Sequence, residues 1–109
     1  MTEHIKVVKP SGVLDASTSQ DFREEVIKTL DSKPKMVLVD LKEITFMDSS
    51  GLGALVLAFK TLRASDTKLV LCSINEQVKI LFELTGMDKV FEIFSNQDEF
   101  NQSVLSQIS

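Results

Sequence analysis

Phe46-Met47-Asp48-Ser49-Ser50-Gly51-Leu52-Gly53-Ala54-Leu55 sets one acid, two hydroxyls and two glycines between apolar runs. Such a stretch suits the turn of a strand into a helix, because short oxygen-bearing side chains satisfy the free amides of an opening helix. Leu52, Leu55, Val56, Phe59 and Leu62 then fall on one helical stripe, so a helix is expected from about Ser50. Upstream, Lys35-Met36-Val37-Leu38-Val39-Asp40-Leu41 is a continuous apolar run, as in a strand covered by its neighbours. Ile44 to Met47 reads as a short apolar bridge from that strand to the motif.

The same periodicities recur on both sides. His4 to Val8 alternates and is β-branched, and Gly12-Val13-Leu14-Asp15 reads as its partner strand across Lys9-Pro10-Ser11. Ser17-Thr18-Ser19-Gln20 has the spacing of a capping box, in which Ser17 and Gln20 satisfy each other's amides. Phe22, Val26, Ile27 and Leu30 follow as the apolar stripe of a helix that stops before Pro34. Leu69 to Ile74 predicts another buried strand. Val78, Leu81 and Phe82 predict a third helix ending at Gly86, which suits a left-handed cap. Val90 to Phe94 is a last strand, and Phe100, Val104, Leu105 and Ile108 form a closing helix that Asn96 caps. The order implies a single α/β domain over residues 1–109: a mixed, mostly parallel sheet with an N-terminal antiparallel hairpin and about four packed helices. In such sheets functional groups gather at the carboxyl ends of strands, where the Asp48 motif lies.

Composition narrows the function. With 43% hydrophobic and 26% charged residues in 109, the chain is that of a soluble globular domain. A net charge of -4 with scattered lysines disfavours nucleic acid, whose phosphates select clustered Lys and Arg. No apolar run reaches the roughly 20 residues of a membrane span. Met1-Thr2-Glu3-His4 lacks the basic-then-apolar order of a signal peptide, so a cytoplasmic location is expected. Cys72 is the only cysteine and lies in the strand-like Lys68-Leu69-Val70-Leu71-Cys72, where it reads as a buried small hydrophobe. The one histidine, His4, has no companion for a metal site and reads as a solvated residue at a strand start.

Enzyme chemistry fits the motif poorly. A phosphate-cradling Walker loop needs a lysine that the motif lacks. A nucleophile elbow needs Gly-x-Ser-x-Gly, and Asp48 stands at the upstream glycine. A serine nucleophile needs a positioned base, but the histidine is at the far end of the chain. Asp15 and Asp48 could pair as carboxylates, yet no apolar pocket raises either one. Two readings therefore stay open: the hydroxyls, acid and glycines only cap and shape the helix, or a serine at an exposed helix N-terminus carries a phosphate. An anion is tolerated there, and adds roughly -1.5 to -2 charges against any partner fitted to a neutral hydroxyl.

Phe46-Met47-Asp48-Ser49-Ser50-Gly51-Leu52-Gly53 resembles the signature of the STAS domain of bacterial anti-sigma factor antagonists. Gly12-Val13-Leu14-Asp15 resembles that family's second hallmark, and the likeness covers essentially the whole chain. The resemblance implies partner switching. The unphosphorylated domain binds an anti-sigma factor that is also a serine kinase and frees the sigma factor; phosphorylation of Ser50 abolishes binding, and a serine phosphatase restores it. Carried over to these positions, the partner-binding set is Asp15, Asp48, Ser49, Ser50, Gly51 and Leu52, with Ser49 capping or orienting the helix and Gly51 and Gly53 permitting close approach. The ATP belongs to the kinase, so no cofactor, metal or catalytic residue is expected. The alternative within the same resemblance is a non-phosphorylated scaffold subunit of a signalling or of a lipid or anion transport complex.

Overall fold

The computed structural model describes residues 4–108, with side chains as far as Leu105. Met1, Thr2 and Glu3, and the side chain of Ile108 in the last predicted stripe, lie outside the described residues. In order the elements are β1 (Ile5–Val8), β2 (Ser11–Leu14), α1 (Ser19–Lys28), β3 (Met36–Asp40), β4 (Glu43–Met47), α2 (Ser49–Ala64), β5 (Lys68–Cys72), α3 (Glu76–Thr85), β6 (Ile93–Phe94) and α4 (Gln97–Ile108). The α/β class and the four helices are as expected.

β1, β3, β5 and β6 form one sheet in the order β1-β3-β5-β6, and every neighbour in it is parallel. β3 and β5 are central and almost wholly buried, which is why they read as unbroken apolar runs. Their side chains alternate between two faces. Val37, Val39, Leu69 and Leu71 meet Phe22 and Val26 of α1, Leu55, Ala58 and Leu62 of α2, and Val78 and Phe82 of α3. Leu38, Val70 and Cys72 face the other way, against Phe100 of α4.

The pairing of the first two strands differs from the expected hairpin. β1 pairs in parallel with β3, and β2 pairs in parallel with β4 in a separate two-stranded sheet. The two segments, β1–β2 and β3–β4, run side by side, break together at Lys9-Pro10 and Leu41-Lys42, and resume pairing at Ser11 and Glu43. Pro10 supplies the reason. A tight two-residue hairpin turn needs positive φ that proline cannot adopt, and no glycine precedes it. The predicted bridge from Ile44 to Met47 is thus part of a strand, with Ile44 and Met47 buried and Thr45 and Phe46 exposed.

Three smaller features also differ. The capping box at Ser17 does not form: α1 starts at Ser19, and the Ser17 hydroxyl donates to Asp15 Oδ1 at 2.7 Å. The last strand shortens to Ile93–Phe94 because Phe91 is buried among the helices, its ring 5.1 Å from that of Phe59. Gly86, at φ +76, and Asn96, whose Oδ1 accepts from the Glu99 amide at 2.8 Å, cap as expected. So does the placement of Cys72, fully buried, with burial pushing its thiol pKa up. A thiol reagent at neutral pH should therefore label Cys72 only after denaturation; rapid stoichiometric labelling of the native protein would contradict this packing.

Candidate docking site at the start of α2

Leu14 and Met47 are register partners at the carboxyl ends of β2 and β4, so Asp15 and Asp48, which follow them, leave the small sheet at the same end. The Asp48 amide donates to the Leu14 carbonyl at 3.2 Å, extending the ladder by one step. Asp48 then caps α2. Its backbone is extended, its Oδ1 accepts from the Gly51 amide at 3.0 Å, and its carbonyl accepts from Leu52 at 3.0 Å. This leaves the amides of Ser49 and Ser50 without an acceptor in the helix.

Gly51 is required by a close approach. A Cβ built there would lie 2.2 Å from the Leu14 carbonyl oxygen, far inside the contact distance of a carbon atom, so the first turn of α2 rests directly on the end of β2. Gly53 is different, since a Cβ there meets nothing within 4 Å. A mid-helix glycine costs about 1 kcal/mol relative to alanine, and no contact among the described residues explains its presence.

The opposite edge of β4 is held by α3. Gln77 uses both ends of its amide on Met47: Oε1 accepts from the Met47 amide at 2.9 Å, and Nε2 donates to the Met47 carbonyl at 2.7 Å. Asn75 caps α3 through the Val78 amide at 2.8 Å, and its Nδ2 donates to the Ile44 carbonyl at 3.1 Å. Two side-chain amides thus stand in for the missing neighbouring strand. Asn75 was not among the expected site residues, although a short polar residue before a periodic run is a local signal that points to a cap. Gln77 carried no such signal, because its role exists only once β4 lies beside α3.

Asp15 sits in a compact turn. Its carboxylate accepts from the Ser17 hydroxyl at 2.7 Å and the Ser17 amide at 2.9 Å, while the Thr18 hydroxyl accepts from the Asp15 amide and donates to the Val13 carbonyl at 2.8 Å. The Ser17 hydroxyl, then its amide, hold the Asp15 carboxyl below its ordinary pKa. Gly12, at φ +85, and the bulge after it set the path of β2 into this turn.

Ser49 and Ser50 are exposed, and neither hydroxyl has a hydrogen-bond partner among the described residues. The expectation that Ser49 caps the helix is corrected, for Asp48 takes that place one residue earlier. Leu52 is only 6% exposed and belongs to the core, and Gly51 is buried under the same turn. Both shape the site from beneath instead of offering a surface. The exposed members of the expected set are the two serines, with Asp48 and Asp15 partly exposed beside them. Val13 and Phe46, also register partners, add an exposed apolar pair on the adjoining strands.

The chain belongs to the STAS domain family, whose model matches residues 1–100. An anti-sigma-B factor antagonist of Listeria monocytogenes is 38% identical over 101 residues, covering 92% of this chain and 87% of its own. The crystal structure of an anti-sigma factor antagonist from Mycobacterium paratuberculosis has the same fold, with a TM-score of 0.82 at 23% identity over 95% of this chain and 88% of that one. So does the STAS domain of a SulP transporter from Vibrio cholerae, at 0.80 and 17%, over 99% and 86%. No helix among the described residues is long and apolar enough to cross a membrane.

Two measurements test this geometry. Gly51→Ala should lower stability in urea unfolding by about 2 kcal/mol through overpacking against Leu14, although alanine is ordinarily the better helix former. An NMR titration should place the Asp15 midpoint below that of an ordinary aspartate, and Ser17→Ala should move it upward. A carboxyl depressed in the fold stabilises it above the unfolded pKa, and that contribution is lost as pH falls through the folded value.

Proposed function

We propose that this chain is an anti-sigma factor antagonist that works by partner switching, with Ser50 as the phosphoacceptor. The observation that carries the reading is the pair of hydroxyls on Ser49 and Ser50, exposed, unpartnered among the described residues, and set on the first turn of a helix whose cap is supplied by Asp48; the choice of Ser50 between them follows the resemblance of the motif. The name of the Listeria relative supports the same activity. In this reading the unphosphorylated domain binds a serine-kinase anti-sigma factor in the cytoplasm and so frees the sigma factor. Phosphate on Ser50 ends the binding, and a serine phosphatase restores it.

The local chemistry suits a switch that acts by charge. A phosphate on Ser50 lies beside the free amides of Ser49 and Ser50 at the positive end of α2, so the helix has no reason to unwind. The cap is not consumed, because Asp48 already satisfies Gly51. The modification instead places roughly -1.5 to -2 charges on a surface that carries Asp48 and Asp15 nearby. A partner shaped for a neutral hydroxyl loses that contact and must desolvate the new charge. Ser50 is a substrate in this scheme and no catalyst: His4 precedes β1 and Lys35 donates to its carbonyl at the amino end of the main sheet, away from the strand end that bears the motif.

Incubation with each purified serine-kinase anti-sigma factor of the source organism and ATP, followed by mass spectrometry, should find phosphate on Ser50. Phosphate on no residue, or on Ser49 alone, would sink the assignment, and the first result with a stable multi-subunit assembly would favour a scaffold. By calorimetry Ser50→Ala should retain kinase binding and Ser50→Asp should weaken it. Equal affinities for the two variants would count against a charge switch.

A further inference from the structure

We propose that a depression at the amino end of β5, remote from the serine motif, is a binding site for a small amphipathic carboxylate, with the Leu69 amide and the Arg63 side chain as its anion contacts. The inference is independent of the partner-switching reading. The site opens where the main sheet fails to close. On the side of β5 away from β3, alternate amides pair with the chain that leads into β6: Leu71 donates to the Glu92 carbonyl at 3.0 Å and Ser73 to the Phe94 carbonyl at 3.1 Å. One step earlier the same ladder would join the Leu69 amide to the Val90 carbonyl, and that bond is not made. The Lys68 amide points the other way and donates to the Lys35 carbonyl beside β3 at 3.1 Å.

Phe91 is the cause. Its side chain is buried against the rings of Phe59 and Phe82, at centroid distances of 5.1 and 5.7 Å, and this draws the chain before Glu92 off the sheet edge. Leu69 is only 2% exposed, so its amide is a donor at a buried position with no acceptor among the described residues. Such donors are rare in folded chains, because each one forfeits a hydrogen bond. Its acceptor has to come from outside the chain, from water in the free protein and from a ligand oxygen in the bound one.

The depression measures about 470 Å³, within the roughly 300–1,000 Å³ of small-molecule sites. Phe59, Leu69 and Val90 give it apolar walls, and Val90 is left 44% exposed there. Four charges stand on the rim. Lys68 and Glu92 neutralise each other at 2.7 Å, whereas Arg63 and Asp66 make no ion pair among the described residues. Arg63 lies in the last turn of α2, about 20 Å along the axis from Ser50 at roughly 1.5 Å per residue. Its guanidinium fork matches a carboxylate, the Leu69 amide adds a further donor, and an apolar tail covers Phe59 and Val90. The Asp66 carboxylate works against an anion, so weak binding is expected. An added peptide strand does not fit this edge, since Glu92 already occupies the next ladder step at Leu71.

Backbone amide NMR of the full chain, titrated with sodium octanoate, reads the site directly. The Leu69 amide proton should move downfield and saturate as it gains an acceptor. Acetate, which has the charge without the tail, and octylamine, which has the tail with the opposite charge, should leave it in place at equal concentration. Arg63→Gln, at an exposed helical position, should raise the octanoate Kd about fivefold. Val90→Glu should abolish binding, and Ile80→Gln, an exposed apolar residue on α3, should leave Kd unchanged. A Leu69 amide that octanoate does not move overturns the inference, as does an equal response to octylamine or an unchanged Kd in Arg63→Gln.

Discussion

The contact on which the site depends is the seating of Gly51 on the Leu14 carbonyl. Any side chain at 51 would collide with that oxygen, so the first turn of α2 and the last residue of β2 are locked at backbone contact distance. The Asp48 amide bond to the same carbonyl and the Asp48 cap on Gly51 tie the two elements from both sides. Gln77 completes the arrangement by holding Met47 through both of its backbone polar groups. Leu14, Met47, Asp48 and Gly51 therefore have little freedom, and Asp15, one residue on, is held by its own turn. The serines project from a platform whose backbone groups are largely committed, which is the condition under which a chemical change at a hydroxyl is read as charge and shape instead of as unfolding.

Much of this was legible in the residues before any coordinates. The apolar runs of β3 and β5 and the stripes of the helices identified the layers, because strand and helix periods differ and each buried face had enough Val, Leu and Phe to mark it. The Asp-Ser-Ser-Gly motif identified the strand end. What stayed hidden was pairing. A short strand after Lys9-Pro10 looks the same whether it folds back on β1 or leaves with a parallel companion, since both give one buried face, and only the missing fourth strand distinguishes the two. That strand was concealed because Ile44, Thr45, Phe46 and Met47 read buried, exposed, exposed, buried, a broken alternation that tracks the bulge between Gly12 and Val13.

The site was legible in part for a related reason. Residues whose function is carried by their own backbone neighbourhood, such as an acid at an N-cap or a glycine at a turn, leave a local trace. Asp48 and Ser49 compete for the same trace, and their order is decided by the extended backbone that β4 imposes on Asp48. Leu52 sits in the motif yet points inward, because a helix that opens against a sheet must bury its third or fourth residue. Gln77 lies 30 residues from Met47 in sequence, and its clamp is a property of packing alone.

The two glycines of the motif show how similar letters answer to different constraints. Gly51 is explained entirely from within: the Leu14 carbonyl excludes a Cβ, and the cap bond accepts its amide. Gly53, two residues on and on the exposed side of the helix, has no neighbour among the described residues that forbids a side chain, so the fold alone would be better served by alanine there. On the proposed scheme the motif then divides by direction: Gly51 and Leu52 face inward and hold the helix in place, Asp48 caps it while partly exposed, and Ser49, Ser50 and Gly53 face outward. Phosphate would change only the outward half.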